Sequence, residues 1–110
     1  MNCKVKGTVR SLKNTKKNDQ LYLLVPEKKK NLTLHEANLL DSEPWFDIIK
    51  GCDYVLHIAS PIMGIESKDP IFRQKLMDSA VKGTLHVLEA CKKNKIQKIV
   101  LTSSISAVKE

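Results

Sequence analysis

The run Lys98-Ile99-Val100-Leu101-Thr102-Ser103-Ser104 constrains the fold of this chain more than any other feature. An apolar run that stops at a hydroxyl pair is what an α/β enzyme shows where a buried parallel strand delivers side chains to the carboxyl edge of its sheet. Three further stretches read the same way: Lys4-Val5-Lys6-Gly7-Thr8-Val9-Arg10-Ser11, Leu32-Thr33-Leu34-His35-Glu36-Ala37, and Asp53-Tyr54-Val55-Leu56-His57-Ile58-Ala59-Ser60-Pro61. The third is nearly all apolar, which predicts burial on both faces.

Helix signals stand between these strands. Asp41-Ser42-Glu43-Pro44 supplies a capping oxygen, a first-turn acid and a proline where its missing N–H costs little, and Gly51 suits the left-handed stop. Asp69-Pro70 opens a longer helix by the same logic. Met77, Val81, Leu85, Leu88 and Cys91 follow at spacings of three and four, with Ala80 and Thr84 beside them, and predict a long amphipathic helix up to Lys92-Lys93-Asn94. Asn14 to Gln20 is polar and reads as loop, as do residues 61–68; Leu21 to Val25 is too short for periodicity to decide. Alternating strands and helices imply a parallel sheet, hence an α/β fold.

The chain's 110 residues leave room for one domain, and a hydrophobic fraction of 42% with a charged fraction of 28% excludes global disorder. No apolar run approaches the ~20 residues that span a bilayer. Cys3, Cys52 and Cys91 are odd in number and widely spaced, which favours reduced thiols in a cytoplasmic protein over disulfides or a zinc site. No metal is expected, and His57, inside an apolar strand, reads as a core residue. The net charge of +7 gathers before residue 31. Such a bias suits a phosphate-bearing ligand, a membrane surface or nucleic acid, but these lysines lack the aromatic interleaving of a stacking platform. Neither a nucleic-acid nor a membrane partner is expected.

The strings GTVRS, GCDYVLHIASP, VKGTLHVLEACK and VLTSSISAV, in that order, resemble the extended short-chain dehydrogenase/reductases of the NAD-dependent epimerase/dehydratase superfamily. The nearest branch is the one of dihydroflavonol reductases and cinnamoyl-CoA reductases. The resemblance runs over nearly the whole chain. It implies a partial Rossmann-like, doubly wound parallel sheet over residues 1–110, an NAD(P)-binding domain whose strands correspond to the family's second through fifth. The chain then begins after the family's glycine-rich loop and first strand and ends before its Tyr-x-x-x-Lys. In the order 3-2-1-4-5-6 that first strand lies between the second and fourth, so residues 4–10 and 53–59 would lose a common neighbour.

At the end of the family's second strand an acid reads the ribose 2′-hydroxyl of NAD, whereas an arginine accommodates the 2′-phosphate of NADP. Here that place holds Arg10, with no acid until Asp19, and Lys13, Lys16 or Lys17 can add a second positive charge. NADP is therefore expected over NAD. The resemblance further implies adenine contact through Asn38 and Leu39, where the family usually has Asp-Leu. It places Ile58, Ala59 and Ser60 along the cofactor's ribose and pyrophosphate. Ser104 is mapped to the serine that hydrogen-bonds the substrate carbonyl, with Ser106 as the weaker candidate.

The implied activity is hydride transfer by an NADP(H)-dependent oxidoreductase acting on CH–OH or carbonyl groups, its partners being the dinucleotide and a small carbonyl or alcohol substrate. Gly7, Gly51, Gly64 and Gly83 are isolated, and neither Tyr22 nor Tyr54 has lysine four residues on, so this chain by itself is expected to lack turnover. The alternative from another class is a catalytically dead module that binds nucleotide phosphates or a protein partner. Substrate and oligomeric state are not legible.

Overall fold

A computed structural model of the chain describes residues 3–24, 30–59 and 68–103. Its element order is β1 (Val5–Val9), α1 (Thr15–Leu23), β2 (Leu32–Glu36), α2 (Glu43–Ile49), β3 (Tyr54–His57), α3 (Pro70–Lys93) and β4 (Lys98–Leu101). The fold is mixed α/β, and contacts divide it into two compact units, Met1–Asn38 and Leu39–Glu110.

In the first unit β1 and β2 run parallel, with Val5 abreast of Leu32 and Val9 abreast of Glu36. The ladder is extended by the Ala37 N–H, which donates to Val9 O at 2.9 Å. The sheet face is tight at Gly7, where a Cβ would come within 3.1 Å of Leu34 Cδ2.

The stretch read as loop is instead the helix α1. Asn14 caps it, its Oδ1 accepting from the Lys17 N–H at 3.4 Å. No apolar stripe announces this helix, since Leu21, Leu23 and Leu24 are all exposed. What holds it is the cap and the buried Asn18, a tertiary effect that composition does not reveal.

In the second unit β3 and β4 are also parallel, Tyr54 abreast of Lys98 and His57 of Leu101. These two pairings are the neighbours that the order 3-2-1-4-5-6 gives to its second and third and to its fourth and fifth strands. The core sits where α2 packs on α3, around Trp45, Ile49, Val87, Ala90 and Cys91. Burial, and secondarily the charge of Cys52 nearby, pushes the Cys91 thiol up, so it stays protonated and serves as an apolar filler.

The helix signals hold with one change. Asp69 Oδ1 accepts from the Ile71 N–H at 3.0 Å and starts α3, and Gly51 takes φ +82° after α2. Ser42 precedes α2 without a side-chain capping bond, so Pro44 and Glu43 carry that start.

One burial expectation is corrected, and the buried face of the long helix is now defined. Tyr54 and Leu56 are 65% and 68% exposed, so β3 is covered on one face only, the face of His57, to which α3 lends its side. On α3 the buried residues are Gly83, Val87, Ala90 and Cys91, whereas Met77, Val81 and Leu85 face outward. The helix is apolar on two sides, and packing against α2 selects the side with the small residues.

Candidate functional site

The first unit offers a groove at the carboxyl end of β1. It measures about 710 Å³ and is walled by Thr8, Val9, Arg10, Ser11, Asn14, Lys17, Asn18, Gln20 and Leu21. Two cations, Arg10 and Lys17, stand on this wall together with hydroxyl and amide groups, and none of the lining residues is acidic. The parallel register explains the position of Arg10, because a strand that ends at Val9 releases the next side chain beyond the hydrogen-bonded ladder.

The corner that follows Arg10 is held by several groups. Ser11 Oγ accepts from the Lys13 N–H at 3.2 Å. The Leu12 N–H donates to Glu36 Oε2 at 3.0 Å. Asn18 Nδ2 donates to Ser11 O at 3.2 Å and to Leu12 O at 3.3 Å. Sequence reasoning missed three of these residues. Asn14 had a legible signal, a capping residue type before a polar run. Asn18 and Glu36 had none, since their roles depend on which strand end lies beside which turn.

Of the predicted residues, Arg10 lies on the groove wall and Lys13 at its corner, while Lys17 is the second cation of the wall. Asn38 is exposed just beyond β2, at the same carboxyl end of the sheet as Arg10. Ser104, Ser106 and Ser60 lie outside the described residues.

In the second unit Leu39 is half-buried and rests against α3. His86 Nδ1 lies 2.7 Å from Leu39 O, and because a carbonyl only accepts, this nitrogen carries the proton. Ile58 and Ala59 continue β3 in an exposed stretch. The Thr102 N–H donates to His57 O at 3.0 Å, carrying the β3–β4 ladder one bond past Leu101. The strand ends of the expected pyrophosphate stretch and of the serine run thus share one sheet edge. His57 itself is buried, and that burial lowers its pKa, the behaviour of a core histidine. Among the described residues no cluster of His, Cys, Asp or Glu could hold a metal ion, and no helix is long and apolar enough to cross a membrane.

The sequence profile of the 3-beta hydroxysteroid dehydrogenase/isomerase family matches residues 1–110. A cinnamoyl-CoA reductase of Medicago truncatula is 44% identical over 105 residues, covering 94% of this chain and 31% of the relative. A dihydroflavonol 4-reductase of Dianthus caryophyllus is 41% identical over 100 residues, covering 91% of this chain and 27% of its own length. The chain thus spans about a third of the length of the curated relatives it matches. Among solved structures, Pen from Bacillus thuringiensis superposes with a TM-score of 0.76 at 24% identity, over 94% of this chain and 30% of that one. The likeness supports a partial Rossmann-like fold.

Proposed function

The chain belongs to the 3-beta hydroxysteroid dehydrogenase/isomerase family, in the extended short-chain dehydrogenase/reductase branch, and on that premise we propose that residues 1–110 supply NADP(H)-binding parts of a cytoplasmic carbonyl reductase or alcohol dehydrogenase. The observation that carries this reading is the groove at the end of β1, whose wall holds Arg10 and Lys17 and no carboxylate. That donor set fits a phosphate. A guanidinium pairs two phosphate oxygens at once, and a second cation offsets the remaining charge.

Residue by residue, the reading gives Arg10 the ribose 2′-phosphate, with Lys13 and Lys17 as supporting charges. Asn38 offers an amide to the adenine edge, and Leu39 offers an apolar surface to the ring. Ile58, Ala59 and Ser60 line ribose and pyrophosphate, where small residues let a ligand approach the main chain. Ser104 hydrogen-bonds the substrate carbonyl, supplying orientation and some stabilisation of developing negative charge. The bound dinucleotide supplies the hydride, carried at nicotinamide C4. A serine hydroxyl cannot relay a proton near neutral pH, and neither Tyr22 nor Tyr54 is followed by lysine at the fourth position. Residues 1–110 alone therefore bind without turning over, and NADPH oxidation with aldehydes or ketones should stay at background.

The test is a titration with NADP and NAD. NADP should bind more tightly, and Arg10→Ala should weaken it by about 1.5–3 kcal/mol, the range for a hydrogen bond to a charged group, while leaving NAD little changed. Equal losses for both cofactors would remove Arg10 as the phosphate reader.

A further inference from the structure

We propose that Asn18 is a positioning residue for the 2′-phosphate: it fixes the corner that carries Arg10 and Lys13, and so sets preference for a 2′-phosphorylated adenosine. The inference rests on the reading of Arg10 as the phosphate reader and adds a residue that the reading does not contain.

Asn18 is only 8% exposed, although it lies in a polar stretch of a helix whose other residues are mostly exposed. Its amide nitrogen does not serve the helix. It donates across the groove wall to Ser11 O at 3.2 Å and Leu12 O at 3.3 Å, the first two carbonyls after Arg10. With the Leu12 N–H on Glu36 Oε2, the Leu12 residue is tied through both its amide and its carbonyl, to α1 on one side and to the end of β2 on the other.

Two consequences follow for an anion. First, the flexible arginine and lysine side chains start from a backbone that is already ordered, so less freedom is lost when they close on a phosphate. Second, Ser11 O and Leu12 O each accept an N–H from Asn18, which offsets part of their negative charge. Left open, two carbonyl oxygens in the corner of an anion site would oppose the charge that Arg10 and Lys17 attract. An adenosine phosphorylated at the 5′ position alone makes no demand on this corner, which is why the effect falls on selectivity and not on nucleotide binding in general.

The experiment is an amide-resolved NMR titration of the whole 110-residue chain with adenosine 2′-monophosphate and adenosine 5′-monophosphate. The wild-type chain should prefer the 2′-phosphate. Asn18→Leu, which keeps the side chain's branching and heavy-atom number without donors, should reduce that preference roughly tenfold, the scale of a lost charge-assisted contact, with 5′-monophosphate affinity unchanged. Asn18→Gln, which keeps the amide, should retain most of it. Should the leucine variant lose its dispersed spectrum, Asn18→Ala is read in the same way. An undiminished preference in the donor-free variant, or equal weakening of both nucleotides, overturns the positioning role while the Arg10 reading stands. Absence of any preference in the wild-type chain overturns that reading and this inference with it.

Discussion

Gly83 of α3 lies directly beneath Leu39: a Cβ placed on Gly83 would come within 2.7 Å of Leu39 Cβ and 3.3 Å of its Cγ and Cδ2. This close approach, with the hydrogen bond from His86 Nδ1 to Leu39 O, anchors the start of the second unit to α3. It also makes a falsifiable statement about the glycine. Alanine in a helix interior gains about 1 kcal/mol over glycine, but overpacking a tight contact costs about 1–3 kcal/mol. The contact atom here is the Leu39 Cβ, which cannot swing aside as a side-chain tip could. Gly83→Ala should therefore lower stability in a denaturant titration, in spite of its better helix propensity. A gain would mean that Leu39 yields freely.

A second prediction concerns the end of α3. The Ile96 N–H donates to Cys91 O at 3.1 Å and the Lys95 N–H to Lys92 O at 3.2 Å, the paired bonds of a Schellman stop. That motif needs a left-handed residue after the cap, and Lys95 takes it at φ +55° where glycine is usual. A lysine there carries the Cβ strain that glycine avoids. Lys95→Gly should raise stability by about 0.5–1 kcal/mol, part of the relief being offset by glycine's greater freedom in the unfolded chain. Thermal melts of the two proteins decide it.

How much of this was legible is best judged from particular elements. The four strands were, because β-branched and apolar runs between polar punctuation have few other readings. α1 was not, because beyond its Asn14 cap it depends on Asn18 reaching carbonyls six and seven residues back. On α3 the helical spacing was read correctly, but it fits two stripes, and only the packing against α2 selects Gly83, Val87, Ala90 and Cys91 over Met77, Val81 and Leu85. Arg10 was legible as a strand-end cation. Its surroundings were not, since Glu36 arrives from β2 only through the parallel register.

The third prediction follows from His57. Burial holds its pKa below the ordinary value of 6.5, so the folded chain keeps the imidazole neutral. Below that value the unfolded chain takes up a proton that the folded chain refuses, which favours unfolding. The contribution is complete above pH 6.5 and is lost as pH falls toward the lower folded pKa. Stability should thus decline through this window, and His57→Gln should flatten the decline. Denaturant midpoints for both proteins across the window test it, and parallel curves would assign the decline to other groups.

The last prediction separates the lysines near Arg10. Lys17 lines the groove beside Asn14 and Asn18, whereas Lys13 stands at the corner, with its backbone N–H on Ser11 Oγ, and is not among the lining residues. A cation on the wall acts on a bound anion over a short path, and one at the rim is more strongly screened by solvent and salt. Lys17→Ala should therefore weaken adenosine 2′-monophosphate more than Lys13→Ala does. Both losses should shrink as salt is raised, because exposed charges are screened over ~10 Å at 0.1 M ionic strength. Titrating the two variants at low and high salt gives the comparison. If Lys13→Ala proves the more harmful, Lys13 is the second cation of the site, and Lys17 acts on the helix alone.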